Sequence, residues 1–187
     1  MNTYKINIAG VERELPYIRI DDTTAYASFV VIGDAELISN AAKELAAMLY
    51  GIDIILTAEA KGIALAYEIS RLLDMKEFIV ARKSVKSYMK NTISECVQSI
   101  TTKEVQTLYL DETDARKLKD KNVCLIDDVI STGESLRAIE KLAIKAGANV
   151  KYRAAILAEG EAAKREDILY LKKLPLFQIE NGYYREM

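Results

Sequence analysis

Two adjacent carboxylates, Asp127 and Asp128, close the apolar run 123–126, and the hydroxyl-bearing residues Ser131, Thr132 and Ser135 follow around Gly133. The apolar run has the character of a buried strand, and the residues after Gly133 have helical spacing. Backbone N–H groups at the start of such a helix point at an anion, and the helix dipole favours negative charge there. Gly133 lets the backbone approach closely or adopt positive φ, and the three hydroxyls add donors suited to a terminal phosphate. Carboxylates repel phosphate. Two of them beside an anion site therefore need another task, and accepting hydrogen bonds from sugar hydroxyls is one. Taken alone, a Ser-Thr-Gly before a helix is also what an ordinary strand–turn–helix junction looks like, with Asp128 or Thr132 as a simple cap. The acidic pair fused to the turn favours a cradle for a phosphorylated sugar.

Two more stretches carry suitable chemistry. Glu59, Ala60, Lys61 and Gly62 lie between a short apolar run and a helical segment, which makes a second candidate anion site. In isolation they equally describe a surface turn with two solvated charges. Arg82, Lys83 and Lys86 follow the apolar run 77–81; an arginine suits bidentate phosphate contact and the lysines act as mobile point charges. The chain has no histidine, so Ser–His and Cys–His nucleophiles are excluded and a general base must be Asp, Glu, Lys or Tyr. Cys96 and Cys124 stand apart with no CxxC spacing, which reads as two reduced thiols rather than a zinc site. Neither GxxxxGK[ST] nor GxGxxG occurs.

The elements that must position these residues follow from periodicity. Residues 5–8 alternate, Ala9-Gly10 turns, and 12–20 resumes around Pro16, which predicts short strands. Asp34 is placed to cap a helix whose stripe is Leu37, Ala41, Leu45 and Met48, with Gly51 as its C-terminal stop. Strands are expected at 53–57, 77–81, 107–110, 122–126 and 150–157, and helices at 63–73 and from Gly133 to Ala146. A short helix is expected within 111–120. Strands alternating with helices imply an α/β fold: a three-layer, mostly parallel sheet with right-handed crossovers, as one domain over 1–187. Ligands in such sheets bind at the carboxyl ends of the strands, which lines up all three candidate stretches along one edge. The polar segment 82–106 is long for a connection inside a compact chain and predicts a flexible lid.

Composition bounds the rest. The 187 residues are half apolar and 29% charged, enough for one sizeable core. A net charge of −2 argues against a nucleic-acid-coating surface. The N-terminal residues show no basic segment leading into an apolar run, and no stretch approaches the ~18 apolar residues of a membrane span. The expectation is a cytoplasmic protein with no membrane partner and no nucleic-acid partner.

At residues 123–135 the pattern becomes specific. VCLIDDVISTGES resembles, at every position, the thirteen-residue phosphoribosyl diphosphate (PRPP) signature of the type I phosphoribosyltransferases. The resemblance implies that fold, with a small hood from the chain termini at 1–32 and 165–187. It implies that Asp127 and Asp128 take the ribose, and that Val129, Ile130, Ser131, Thr132, Gly133, Glu134 and Ser135 take the 5′-phosphate. Glu59-Ala60-Lys61-Gly62 is similar to the family's pyrophosphate loop, and Arg82 and Lys83 to the residues opening its flexible loop, with Lys86 close behind. Tyr88 and Glu95 are candidate lid contacts, and Tyr88 is also a candidate contact to the base. The tail LYLKKLPLF resembles the hood of adenine- and xanthine-type members, which would make Pro175, Leu176 and Phe177 hood residues, with Phe177 against the base. An ordinary core-packing role fits that tail equally.

The implied reaction is displacement of pyrophosphate from C1 of PRPP by a purine nitrogen, with Mg²⁺ bound mainly through PRPP and with Asp127, Asp128 and Arg82 as the catalytic set. Hypoxanthine–guanine members usually carry aspartate where Ser131 stands, so the serine points towards the adenine/xanthine branch. The family also implies a homodimer. The competing reading is a PRPP- or nucleotide-sensing regulator that keeps the cradle without turnover.

Overall fold

The computed structural model describes residues 3–97, 106–180 and 182–187. Its centre is a five-stranded sheet in the order β10-β9-β8-β4-β5, comprising β4 (Ile54–Ala58), β5 (Ile79–Ala81), β8 (Asn122–Ile130), β9 (Asn149–Glu159) and β10 (Leu169–Leu174). Every pairing in it is parallel. Successive side chains of these strands feed opposite faces, as the pleat requires. Ile55, Cys124, Ile126 and Ile156 enter one core with α1 (Ala35–Ala46) and α2 (Ile63–Leu72). Leu56, Val123, Leu125 and Ala155 enter the other with α4 (Glu134–Lys145). The three-layer α/β expectation holds.

A second, antiparallel sheet joins the two ends of the chain. Its order is β1-β2-β3-β11-β12, from β1 (Thr3–Ile8), β2 (Val11–Arg19), β3 (Thr24–Ala27), β11 (Leu176–Glu180) and β12 (Tyr183–Glu186). Pro175 separates β10 from β11, so the chain leaves the central sheet and enters the terminal one within a single residue. This is where a residue without an N–H does least harm to either ladder. Arg13 of β2 ties the terminal sheet to the rest by gripping Asp34 with two hydrogen bonds of 2.7 and 2.9 Å. Asp34 in turn caps α1 at Leu37 N–H, as expected.

Four details differ from the sequence reading. α1 ends at Ala46, so Met48 lies beyond it and is 40% exposed, while Leu49 takes the buried place. Gly51, at φ 62°, serves the following loop rather than the helix end. β8 runs on through the acidic pair to Ile130, because pairing of Asp127 with Ala155 and Val129 with Leu157 outweighs the poor strand propensity of aspartate. The expected polar lid contains a strand, β6 (Ile93–Val97), paired antiparallel with β7 (Gln106–Leu110) in a ribbon apart from the central sheet. α3 (Glu112–Leu118) follows it, capped by Asp111. Residues 98–105 of the lid lie outside the described residues. No described helix is long and apolar enough to cross a membrane.

Candidate active site

The acidic pair stands at the carboxyl end of β8, where the strand leaves two buried cores behind it. Thr57 of β4 donates to the Ile126 carbonyl at 2.7 Å, which locks the two strands together immediately before the pair. Asp128 is 2% exposed, and its Oδ2 lies 3.3 Å from the Lys61 ammonium without a hydrogen bond. Asp127 Oδ1 accepts from the Asp128 backbone N–H at 2.9 Å. Burial, and then the neighbouring Asp128 charge, push the Asp127 carboxyl up to about 7. Two like charges held this close in a poorly solvated place have that effect.

The turn after β8 is built for an anion. Gly133 has φ 76° and occupies the N-cap position of α4, where it has no side chain with which to cap. α1 and α3 are closed by aspartate side chains; α4 leaves its first amides facing the turn. Thr132 Oγ1 makes only a 3.5 Å contact with the Glu134 N–H.

On the other side of β8 lie the two basic loops. Glu59 and Ala60, joined by a cis peptide, follow β4, and Lys61 follows them. Gly62 must be glycine: a Cβ there would collide with the Thr57 hydroxyl and come within 3.2 Å of the Ile126 carbonyl oxygen. Glu59 accepts from the Lys83 backbone N–H at 3.0 Å, which together with nearby Arg82 holds its carboxyl below the usual range. Its carboxylate therefore orders the loop after β5 instead of standing free for a ligand.

These parts share one cavity of about 740 Å³, within the range of small-molecule sites. Of the residues singled out from sequence, Glu59, Ala60, Lys61, Lys83, Asp127, Asp128, Val129, Ser131, Thr132 and Ser135 line it. Others do not. Ile130 is buried in the core against α4, since it falls on the opposite face of β8 from Val129. Gly62, Gly133 and Glu134 shape the loops from behind, Glu134 with its carboxylate towards Arg137. Arg82 lies off the cavity wall; it hydrogen-bonds Tyr109 through both backbone groups and turns its Nε towards Glu59 at 3.6 Å. Lys86 reaches Ser84 instead, and Tyr88 is 64% exposed, away from the cavity. Glu95 is paired with Lys145 of α4, which fixes it to the outside of the ribbon.

Phe177 is the clearest correction. It is 1% exposed and packs edge-on against Tyr4 at 5.0 Å and Tyr17 at 4.8 Å inside the terminal sheet. Its strand neighbour Leu176 faces the cavity in its place. The aromatic wall is made by Tyr26 and Phe29, which the sequence reading missed along with Leu174 and Glu159. Glu159 had a signal: it ends an apolar run and precedes a glycine, as the acids of β8 end theirs.

A divalent cation suits this donor set. Asp128 presents a buried carboxylate oxygen with no hydrogen bond, beside a second carboxylate. Among the described residues no cluster of three or more acids or thiols forms an all-protein cage. Asp127 and Asp128 would thus be the protein's side of a site that ligand oxygens complete.

The family model for the phosphoribosyl transferase domain matches residues 32–182. The chain belongs to the phosphoribosyltransferase family. Its reaction type is accordingly a glycosyl transfer. Among curated relatives, the chain is 34% identical to a hypoxanthine/guanine phosphoribosyltransferase of Methanothermococcus okinawensis, over 70% of this chain and 69% of that one. It is 30% identical to a purine biosynthesis transcriptional repressor of Bacillus subtilis, over 77% of this chain and 48% of the repressor, so it spans about half that protein's length. Among solved structures, an adenine phosphoribosyltransferase of Thermoanaerobacter pseudethanolicus superposes with a TM-score of 0.69 at 21% identity, covering 86% of this chain and 95% of that one. This last likeness confirms the phosphoribosyltransferase fold.

Proposed function

We propose that the protein transfers the phosphoribosyl group of PRPP to a purine base, releasing pyrophosphate and leaving a nucleoside 5′-monophosphate. The observation that carries this is the single cavity in which the β8 acids sit between an uncapped helix start and the lysine-bearing loops after β4 and β5. In this reading Asp127 and Asp128 accept from the ribose hydroxyls and fix the ring. The turn from Ser131 to Ser135 holds the 5′-phosphate, and Lys61 and Lys83 neutralise the departing pyrophosphate. The bond from C1 to the pyrophosphate oxygen breaks as the bond from C1 to the base nitrogen forms, through a transition state with oxocarbenium character, and the base's N–H proton is released to solvent. Asp127 and Asp128 would hold a Mg²⁺ ion brought in with PRPP, and the ion would supply Lewis-acid and templating chemistry there. The apolar wall of Tyr26, Phe29, Leu174 and Leu176 encloses the base and excludes water. A lid role for the segment 82–106, a cytoplasmic location and a homodimer belong to the same reading.

Pyrophosphate release measured with PRPP, Mg²⁺ and a panel of purines and pyrimidines tests it. Purine-dependent release is expected, with Asp127→Asn and Asp128→Asn each weakening PRPP binding by ~10-fold or more. Unchanged PRPP affinity in both variants removes the ribose assignment. The repressor relative favours one second reading, a regulator that binds PRPP without turnover. PRPP binding with no base able to trigger release would establish it.

A further inference from the structure

The strand order divides the cavity into two sides. The loops carrying Lys61 and Lys83 follow β4 and β5, on one side of β8; β9 and β10 lie on the other. If pyrophosphate leaves towards the lysines, the incoming nitrogen approaches C1 from the β9 side, because nucleophile and leaving group occupy opposite faces of the ring. The side on which the base sits is thereby fixed by topology.

On that side the central sheet contributes Glu159 and Leu174 to the cavity wall, and of the two only Glu159 is charged. It is the last residue of β9, paired in register with Leu174, and Gly160 behind it is pressed against Leu176. Its carboxylate makes no hydrogen bond or ion pair with any described residue. Burial raises its affinity for a proton, with Lys61 opposing. A half-buried acceptor with no internal partner costs stability unless a ligand supplies the donor.

We infer that Glu159 is a specificity-determining residue that reads the six-membered ring of the base, accepting from the ring N1–H of a 6-oxopurine. The inference rests on the phosphoribosyl-transfer reading above and adds which purines it takes. Guanine offers N1–H and a neighbouring amino group to one carboxylate, a bidentate match; hypoxanthine offers N1–H alone. Adenine presents a lone pair at N1, which faces the carboxylate unfavourably. Discrimination by a buried polar group left unpaired is large, whereas the apolar wall of Tyr26 and Phe29 stacks on any purine.

The test compares Glu159→Gln with the unaltered protein in two measurements. The first is the ratio of GMP to AMP dissociation constants, together with PRPP affinity. The second is the ratio of kcat/KM for guanine and adenine. The expected result is a preference for the guanine-derived ligand in the unaltered protein that falls ~10- to 100-fold in the variant, with PRPP affinity held within about twofold. An unaltered protein that prefers AMP overturns the inference, as does an unchanged ratio. Equal loss for every base, or loss of PRPP binding, overturns it as well, since that assigns Glu159 to the sugar or to the fold. Should no purine release pyrophosphate, the transfer reading fails, and the nucleotide ratio still decides the role of Glu159.

Discussion

Asp127 shows how a buried charge acts against the fold that holds it. An ordinary aspartate titrates near 3.9, whereas here burial and the Asp128 charge bring the folded-state value to about 7. Between those values the folded chain binds more protons than the unfolded one, so stability falls as pH rises through the window and is lowest above about 7. Asparagine at 127 keeps the acceptor for the Asp128 N–H and removes the charge. The ligand-free Asp127→Asn protein should therefore melt higher than the unaltered protein at pH 8, by ~3–6 °C. The gap should close towards pH 4. Thermal melts across that range measure it, and a gap independent of pH would assign the effect to packing. The place of the acids on the cavity wall was legible in the sequence, because charge cannot easily be hidden at the end of a strand. Arg82 was not, because residue type alone does not say that its backbone would bridge to Tyr109 and draw its side chain off the cavity wall.

At the scale of elements, the sequence disclosed the strand–turn–helix units because each pairs a short apolar run with a helix-period stripe. It failed where a side chain's face depends on one residue of register. Leu176 and Phe177 are adjacent and equally apolar; pairing of β11 with β3 and β12 puts one in the cavity and the other in the core shared with α1 and α2. The sequence predicts β7 but not its partner β6, whose polar stretch pairs with β7 and takes no place in the central sheet. Close packing between elements gives a sharper test. Gly62 sits where β4, β8 and the start of α2 converge, with the Thr57 hydroxyl and Ile126 carbonyl filling the space of a Cβ. Gly62→Ala should push the Lys61 loop outward and break the Thr57 hydrogen bond. A loss of about 1–3 kcal/mol of stability is expected, with a rise in KM for PRPP larger than that for the base. Denaturant titration and steady-state kinetics check both, and a stable variant with normal PRPP affinity would show that the loop tolerates the shift.

The whole molecule divides its labour between two sheets. The central sheet carries the acids, the phosphate turn and the lysine loops. The terminal sheet, closed by strands from both ends of the chain, supplies Tyr26 and Leu176 above them, and Phe29 joins from the segment just after β3. An aromatic cluster sits within it: Phe177 against Tyr4 and Tyr17, and Tyr17 stacked on Tyr184 at 4.0 Å. Phe177→Ala removes the centre of that cluster, and about 3–5 kcal/mol should be lost. Because the proposed cradle for PRPP stands on the other sheet, the damage should be local. Hydrogen exchange should quicken in β1, β2, β3, β11 and β12 while β4 and β8 stay protected. KM for the base should rise several-fold with KM for PRPP nearly constant. Equal increases in both, with exchange quickened throughout, would mean that the two sheets open as one cooperative unit. In that case Arg13, which ties β2 to the cap of α1, couples the base-binding wall to the PRPP cradle.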